Sequence, residues 1–447
     1  MSDSAPLKAP VGTRDVLPPE TGRWQALITR FAGQVEAAGY GLLQSPMFED
    51  VAVFQRMGEG TDVVRKEMYD FDDKGGRRIA LRPEGTASVA RAFVQHHPAT
   101  PWKVWYAAPS FRYERPQAGR YRQHHQLGLE ALGSADPDLD VEVIALAWDY
   151  LRSLGLQQVR LLVNSMGTRD DRAAYVELLR DWLTDRVDQL DPGDRDKVTD
   201  HPMRVLDSKR PTTQALAAEA PHITHHLSPE GNLHFDRVRA GLKVLGIPFS
   251  IDPRLVRGLD YYTHTTFEFV SDALDAAQST VLGGGRYDGL VEELGGPATP
   301  GIGFGSGIER VLLACDAEGV FPVPDRGIDV FVVDTSGGAE ALRLTSELRR
   351  AGFRVDRAYD QRSMRAQMKA ADRSGAAVAV IVGERELAEG VVGLRRLRGD
   401  ITEGDGAQER VARTDLLAEL RAVLPEPATR AAAHRAAATH LPEAEPT

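Results

Sequence analysis

Apolar residues recur at helical spacing at Trp24, Leu27, Ile28, Phe31 and Val35, behind a Pro18-Pro19-Glu20 start, so the chain is predicted to begin with an amphipathic helix. From Tyr40 the pattern shortens to small apolar strands broken by glycine. Helical spacing returns at Val89, Ala90, Phe93 and Val94, and again over 141–151, while 102–108, 111–114 and 123–132 read as strands. Strands that arrive in runs predict an α+β body, an antiparallel sheet with flanking helices, over 1–324. Within it, about 168–245 is charged, dotted with His and Pro and mostly helical in period, which reads as a helical insertion. After Pro322 and Pro324 the texture changes: 328–333, 353–355 and 376–382 are short buried-type strands between amphipathic helices, an α/β domain over 325–424. The tail 425–447, rich in Ala, Pro and Glu, lacks the apolar bulk for a core and is expected to be mobile.

Length and composition narrow the class. A chain of 447 residues suits two or three domains. No run approaches the eighteen or so apolar residues of a membrane span, and the first ten residues lack the apolar segment of a signal peptide. One cysteine, Cys315, excludes an internal disulfide and a cysteine-built zinc cluster. A cytoplasmic protein without a membrane partner is the expectation. The net charge of −11 argues against a general nucleic-acid coat but leaves room for a local basic stripe. One is present: from Phe111 to His125 there are four arginines and one acidic residue, Glu114.

That stripe belongs to FRYERPQAGRYRQHHQLGLEALG (111–133), which reads as a hairpin with a long polar loop. On its second strand Gln126, Gly128 and Glu130 share one face, and Leu127, Leu129 and Ala131 the other. A carboxamide and a carboxylate thus flank a glycine expected to leave room for a small polar ligand. Surface ion pairs are the plain alternative for such a face, yet Arg112, Arg115, Arg120 and Arg122 are many planar forks for a sheet that needs only solubility. Arginine grips phosphate oxygens bidentately, which suits a nucleotide or an RNA end.

The same segment resembles motif 2 of the class II aminoacyl-tRNA synthetases, in the histidyl form. Five others agree in order and spacing: GYGLLQSPMFED (39–50, with Pro46) is similar to motif 1, LRPEGTASVARAF (81–93) to the amino-acid-binding segment, RVLDSK (204–209) to an insertion signature, RGLDYYTHTTFEF (257–269) to the histidine-specific motif and GIGFGSGIER (301–310) to motif 3. The resemblance runs from Gly12 to about Leu424. It implies a catalytic domain that joins histidine to ATP and then to tRNA(His), an α/β anticodon-binding domain, and a homodimer built on motif 1.

Residue roles follow from the resemblance. Arg112 and Arg257 match two arginines on the α-phosphate, where charge develops as the amino-acid carboxylate attacks. Glu114, Arg120, His124 and Arg310 match contacts to the rest of ATP, with Mg2+ carried by the nucleotide rather than by a protein ligand set. His124 departs from the pattern: related enzymes carry a phenylalanine that stacks on adenine, and imidazole stacks with less area and a titratable ring. Glu84, Gly85, Thr86 and Gln126 match the amine side of the histidine pocket. Glu130 and Tyr262, with Tyr261 beside them, match the imidazole side. Arg115 and Gln117 match contacts to the tRNA acceptor end.

Weaker patterns have plainer readings. Gly283-Gly284-Gly285 and the alternate glycines 301–307 do not fit GxGxxG, and read as a tight turn and as close backbone approach to a nucleotide at a helix start. The pairs His96-His97, His124-His125 and His225-His226 diverge at i,i+1, without HExxH, so zinc is not expected. Cys315 falls on an apolar stripe and reads as core. The stretch 397–408, with Asp400, Glu403 and Asp405, is longer than usual for such a domain and is not expected near RNA phosphates. Two rival readings remain: a silent, histidine-sensing regulatory subunit of ATP phosphoribosyltransferase, which tends to lose the phosphate-binding arginines and the C-terminal domain, and a class II synthetase for threonine, proline or glycine.

Overall fold

A computed structural model describes residues 6–56, 63–257, 261–275, 279–324, 327–360, 362–398 and 408–424. The first five residues, Gly258, Leu259 and Asp260 of the RGLDYY segment, most of the acidic stretch 397–408 and the tail 425–447 lie outside them. The chain divides into two compact units, Met1–Val323 and Pro324–Thr447.

An eight-stranded sheet organises the first unit. Its strands are β1 Gly41–Leu42, β2 Trp102–Phe111, β3 Gln123–Leu132, β4 Val159–Ser165, β5 Phe249–Ile251, β6 Thr263–Ser271, β7 Thr280–Arg286 and β8 Gly301–Gly307. They lie in the order β1-β2-β3-β8-β7-β6-β4-β5. The inner pairs are antiparallel, as the pattern predicts, but both edges are parallel, β1 on β2 and β5 on β4. Edge strands this short are invisible to a period-2 reading. The expected strand at 111–114 is absent as well: Arg112 N still bonds to Arg122 O at 2.9 Å, but Glu114 N turns back to Arg112 O at 2.8 Å, and Pro116 offers no ladder donor.

Helices α1 Glu20–Ala37, α2 Thr86–His96 and α3 Pro137–Ser153 form where the 3.6 period places them. The buried stripe of α1, Trp24, Leu27, Phe31 and Val35, packs into one core with α3 and with Leu127, Leu129 and Ala131 of β3. Asp136 accepts from Asp138 N, and Pro137 supplies a first turn that needs no donor, so α3 starts cleanly. Burying the Leu127 face leaves the face of Gln126, Gly128 and Glu130 for α2. There Ala87, Ala90 and Phe93 pack with Val104, Tyr106, Tyr261 and Tyr287.

The insertion is helical, as expected, from α4 Arg169–Thr184 to α5 Pro229–Val244. Thr168 and Asp171 form a reciprocal capping box on α4, and Asp171 also accepts from Ser228 N and Oγ at 2.9 Å, which ties the two helix starts together. The chain returns to the sheet and ends the unit with α6 Ile308–Glu318, in which Cys315 is a buried core residue.

The second unit carries β9 Val330–Asp334, α7 Ala339–Arg350, β10 Val355–Arg357, α8 Met364–Arg373, β11 Val378–Val382, β12 Val391–Arg396 and β13 Glu409–Ala412. Strand order is β10-β9-β11-β12-β13, parallel through β11 and antiparallel beyond it. The three parallel strands are those predicted; the antiparallel pair is an addition. Among the described residues no helix is long and apolar enough to cross a membrane.

Candidate functional site

The face of the first sheet that carries Gln126, Gly128 and Glu130 is floored by glycine. One row across it runs Tyr106, Gly128, Gly305, Gly283 and Glu268, and the next runs Val104, Glu130, Gly303, Gly285 and Thr266. The run Gly283-Gly284-Gly285, expected as a tight turn, is therefore strand interior. Its purpose is clearance for functional side chains. A Cβ on Gly303 would stand 1.8 Å from Glu130 Oε2, one on Gly283 2.6 Å from the Arg257 guanidinium, and one on Gly285 2.8 Å from Tyr262 Cδ1. Gly128 corrects the expectation of ligand space between Gln126 and Glu130. A Cβ there would lie 2.0 Å from Tyr106 Cζ, and one on Gly85 2.2 Å from the same atom, so the Tyr106 ring fills the gap.

Above the floor opens a cleft of about 370 Å³, lined by Arg112, Glu114, Arg120, His124, Gln126, Arg257, Tyr262 and Arg310 among the sequence-predicted residues. Arg112 is oriented by its Nε, which donates to Pro83 O at 2.8 Å. Arg310 donates to Thr280 O at 2.9 Å. Burial, with Arg120 and Arg112 facing it, pushes the Arg310 guanidinium down to about 10. Burial first, and then Arg112, His125 and Arg310, holds His124 at about 3, so its ring is neutral at physiological pH and can lie flat on an aromatic base without a charge. Arg112, Arg120, Arg257 and Arg310 thus line one cleft, an arrangement whose chemistry suits a polyanion.

Glu84, Thr86, Glu130 and Tyr261 lie deeper, buried beside the cleft, and Arg115 and Gln117 are exposed on the hairpin loop. Glu84 caps α2: its two oxygens accept from Thr86 N at 2.7 Å and Ala87 N at 2.8 Å. Burial nevertheless raises its carboxyl above the ordinary range, against those bonds and the pull of Arg112. Glu130, fully buried, is pushed up to about 8, burial outweighing the hydroxyls of Tyr287 at 2.5 Å and Thr86 at 2.7 Å. Thr86 thus links the two halves of the expected amino-acid pocket. Two buried carboxyls short of positive charge are complementary to a ligand that carries an ammonium group and N–H donors.

Several site residues were missed by sequence reasoning. Glu268 pairs with Arg257 and accepts from Thr280 Oγ1 at 2.9 Å. Its position between the buried Phe267 and Phe269 is the alternation that could have found it. Glu309 accepts from His125 N at 3.1 Å and meets its Nδ1 at 3.1 Å. Asp207 and Lys209, within RVLDSK, line the cleft from the insertion and pair with each other at 2.7 Å. Tyr106 and Tyr287 complete the pocket around Glu130.

The floor makes a prediction. A Cβ on Gly283 meets only the movable end of Arg257, whereas one on Gly284 meets Gly303 O at 2.1 Å and the Phe304 backbone. Gly283→Ala should fold with a near-normal melting temperature and lose activity by displacing Arg257. Gly284→Ala should be destabilised by about 1–3 kcal/mol or more, as overpacked sites are. Thermal melts and activity of the two variants check this; equal melts would contradict the geometry.

Comparison with known proteins gives three concordant results. A family model described as histidyl-tRNA synthetase matches residues 12–311, and one described as an anticodon binding domain matches 328–423. The histidine–tRNA ligase of Geobacillus thermodenitrificans is 47% identical over 420 residues, 91% of this chain and 99% of its own length. That of Rhodococcus erythropolis is 50% identical over 403 residues, 89% of this chain and 95% of its own. The crystal structure of apo S. aureus histidyl-tRNA synthetase superposes with a TM-score of 0.78 at 35% identity, covering 93% of this chain and all of that one.

Proposed function

The chain belongs to the histidyl-tRNA synthetase family, and from that premise we propose a residue-level account of how it works. It is an ATP-dependent ligase that forms histidyl-tRNA. In the first step the histidine carboxylate attacks the α-phosphorus and pyrophosphate leaves; in the second a hydroxyl of the terminal tRNA ribose attacks the acyl carbon and AMP leaves.

In our reading Arg112 and Arg257 grip the α-phosphate and stabilise the charge that develops there. Arg120 and Arg310 hold the rest of the triphosphate and the adenine side, with Glu114 bracing Arg120 at 3.3 Å and neutral His124 stacking on the base. The ammonium group of histidine meets Glu84, Thr86 and Gln126 beside Gly85, and its imidazole sits between Glu130 and Tyr262 with Tyr261 behind. Arg115 and Gln117, exposed on the loop, contact the tRNA acceptor end. The observation that carries the assignment is the pairing of two buried carboxyls, Glu84 and Glu130, with a cleft lined by Arg112, Arg120, Arg257 and Arg310. One side asks for an amino acid and the other for a nucleoside triphosphate.

Mg2+ enters with the nucleotide in this account. The cleft carboxylates Glu114, Glu268 and Glu309 are engaged by Arg120, Arg257 and His125, so they do not stand ready as a metal cage. A homodimer through the motif 1 region and a cytoplasmic location belong to the same proposal. The regulatory-subunit alternative is less supported, since Arg112, Arg257 and Arg310 are all retained together with the second unit.

Each unit has its own hydrophobic core, and every residue assigned to activation lies upstream of Pro324. A truncation after Pro324 should therefore still form histidyl-adenylate, while aminoacylation suffers through weaker tRNA binding. Assaying both half-reactions on the truncate checks this, and equal loss in both would contradict the division of labour.

A further inference from the structure

A second polar cluster, outside the cleft, is buried where β6 begins and β7 ends. Asp140, Arg286 and Thr265 are 0% exposed, and His234 and His264 are 9% exposed. They come from four elements: Asp140 from α3, His234 from α5 of the insertion, His264 and Thr265 from β6, and Arg286 from β7. Asp140 is the hub. Its Oδ2 accepts from the Thr265 hydroxyl at 2.6 Å and lies 2.8 Å from His234 Nε2. Its Oδ1 accepts from Arg286 Nε at 3.0 Å and also pairs with Nη2. Arg286 gives its remaining donors to Ser134 O, Asp136 O and the Asp288 carboxylate. The rings of His234 and His264 stack with centroids 4.4 Å apart.

The cluster sits on an irregularity in the sheet. Gly285 lies opposite Thr266 but Arg286 lies opposite Thr263, so His264 and Thr265 bulge out of the β6–β7 register. His264 takes a φ of 43°, a left-handed conformation uncommon for a residue with a side chain, and its backbone bonds to Gly167 and Met166. Bulges re-aim the side chains beside them. Here the neighbours are Tyr262, one residue before β6, and Tyr287, one residue after Arg286, whose hydroxyl holds Glu130 at 2.5 Å. Both belong to the amino-acid pocket.

We propose that His234 is a positioning residue for that pocket: by holding Asp140 and stacking on His264 it pins the bulge that aims Tyr262 and Tyr287. The insertion thereby sets the geometry of histidine binding without touching the ligand, an inference that rests on the pocket assignment above. Stability alone does not call for this arrangement. A buried ion pair is commonly matched or bettered by apolar residues of similar volume, and a left-handed non-glycine residue carries strain. Both are kept beside a binding site, where fixed orientation has a use.

Histidine-dependent exchange of pyrophosphate into ATP by the full chain tests it, with His234→Ala, His234→Gln and Thr265→Val. Thr265→Val keeps the shape and removes the donor, while His234→Gln keeps an N–H for Asp140. The KM for histidine should rise by about fivefold or more in His234→Ala and Thr265→Val, with the KM for ATP and kcat within about twofold of wild type. His234→Gln should recover much of the loss. A histidine KM that stays near wild type while the melting temperature falls would overturn the proposal, as would parallel loss for histidine and ATP. If His234→Ala fails to fold, Thr265→Val decides by the same criteria. Absence of histidine-dependent exchange in the wild type would instead overturn the pocket assignment and this inference with it.

Discussion

Arg257→Ala is expected to lower kcat for adenylate formation by about 10²–10³-fold, the usual cost of removing one preorganised charge stabiliser, with little change in histidine affinity. Its surroundings hold Arg257 in place. Burial works against its charge, but Glu268 and the neighbouring tyrosines outweigh it and keep the guanidinium above its ordinary value. Among the described residues its buried Nε has no hydrogen-bond partner, and its guanidinium lies 5.9 Å from the centre of the Tyr262 ring. The ion pair complicates the alanine variant, because truncation exposes the Glu268 carboxylate to the phosphate. Arg257→Ala combined with Glu268→Gln removes that repulsion. If Arg257 acts on the transition state, the double variant stays far below wild type; near-complete rescue would mean that Arg257 merely neutralises Glu268. Arg257→Lys should rescue poorly, since an ammonium lacks the planar fork. Single-turnover adenylate formation separates these outcomes.

Glu130→Gln should weaken histidine binding by roughly 1.5–3 kcal/mol, about ten- to 150-fold, the worth of a hydrogen bond to a charged group. The KM for ATP should barely move. The rival idea, that Glu130 braces loop arginines, finds no support in its hydrogen bonds, which come from Thr86 and Tyr287. Two pH effects follow from its titration near 8. If the carboxylate must accept the ring N–H, binding histidine requires the Glu130 proton to leave, so wild-type affinity should climb between about pH 7 and 8 and the Gln variant should not. Stability runs the other way. The folded state holds this proton more tightly than the unfolded chain, so the stabilisation is complete below the ordinary carboxyl value of 4.5 and is lost as pH rises through about 8. At pH 8 Glu130→Gln should therefore melt no lower than wild type, and the gain is on the order of a few kcal/mol at most. Titration calorimetry with histidine alone, run across this range, gives the affinity. An unaltered dissociation constant would mean that Glu130 does not face the ligand.

Where side chains are large and periodic, the fold was legible in the sequence. The stripe of Trp24, Leu27, Phe31 and Val35 marks α1, and the alternation of Gln126 to Ala131 separates pocket from core. Glycine is silent to that kind of reading, since a residue without a side chain has no face. The run at Gly283 looked like a turn for that reason, and its function as a cleared floor appears only once Glu130, Tyr262 and Arg257 lie across it. Tyr106 and Tyr287 were hidden differently. Alternation tells which side of the sheet a tyrosine faces but not that two distant tyrosines meet one carboxylate. The Asp140–Arg286–His234 cluster joins residues 94 and 146 positions apart, a distance at which pattern carries no information without an alignment. Motif order supplied the arginines; the physical partners that orient them, Pro83 O and Glu268, needed the fold.

Histidine-dependent exchange of labelled pyrophosphate into ATP is the decisive measurement, because in the proposed mechanism it draws on both halves of the cleft and on neither tRNA nor the second unit. Exchange is expected with histidine and not with threonine, proline or glycine. Failure to exchange with histidine, or equal exchange with another amino acid, would contradict that mechanism.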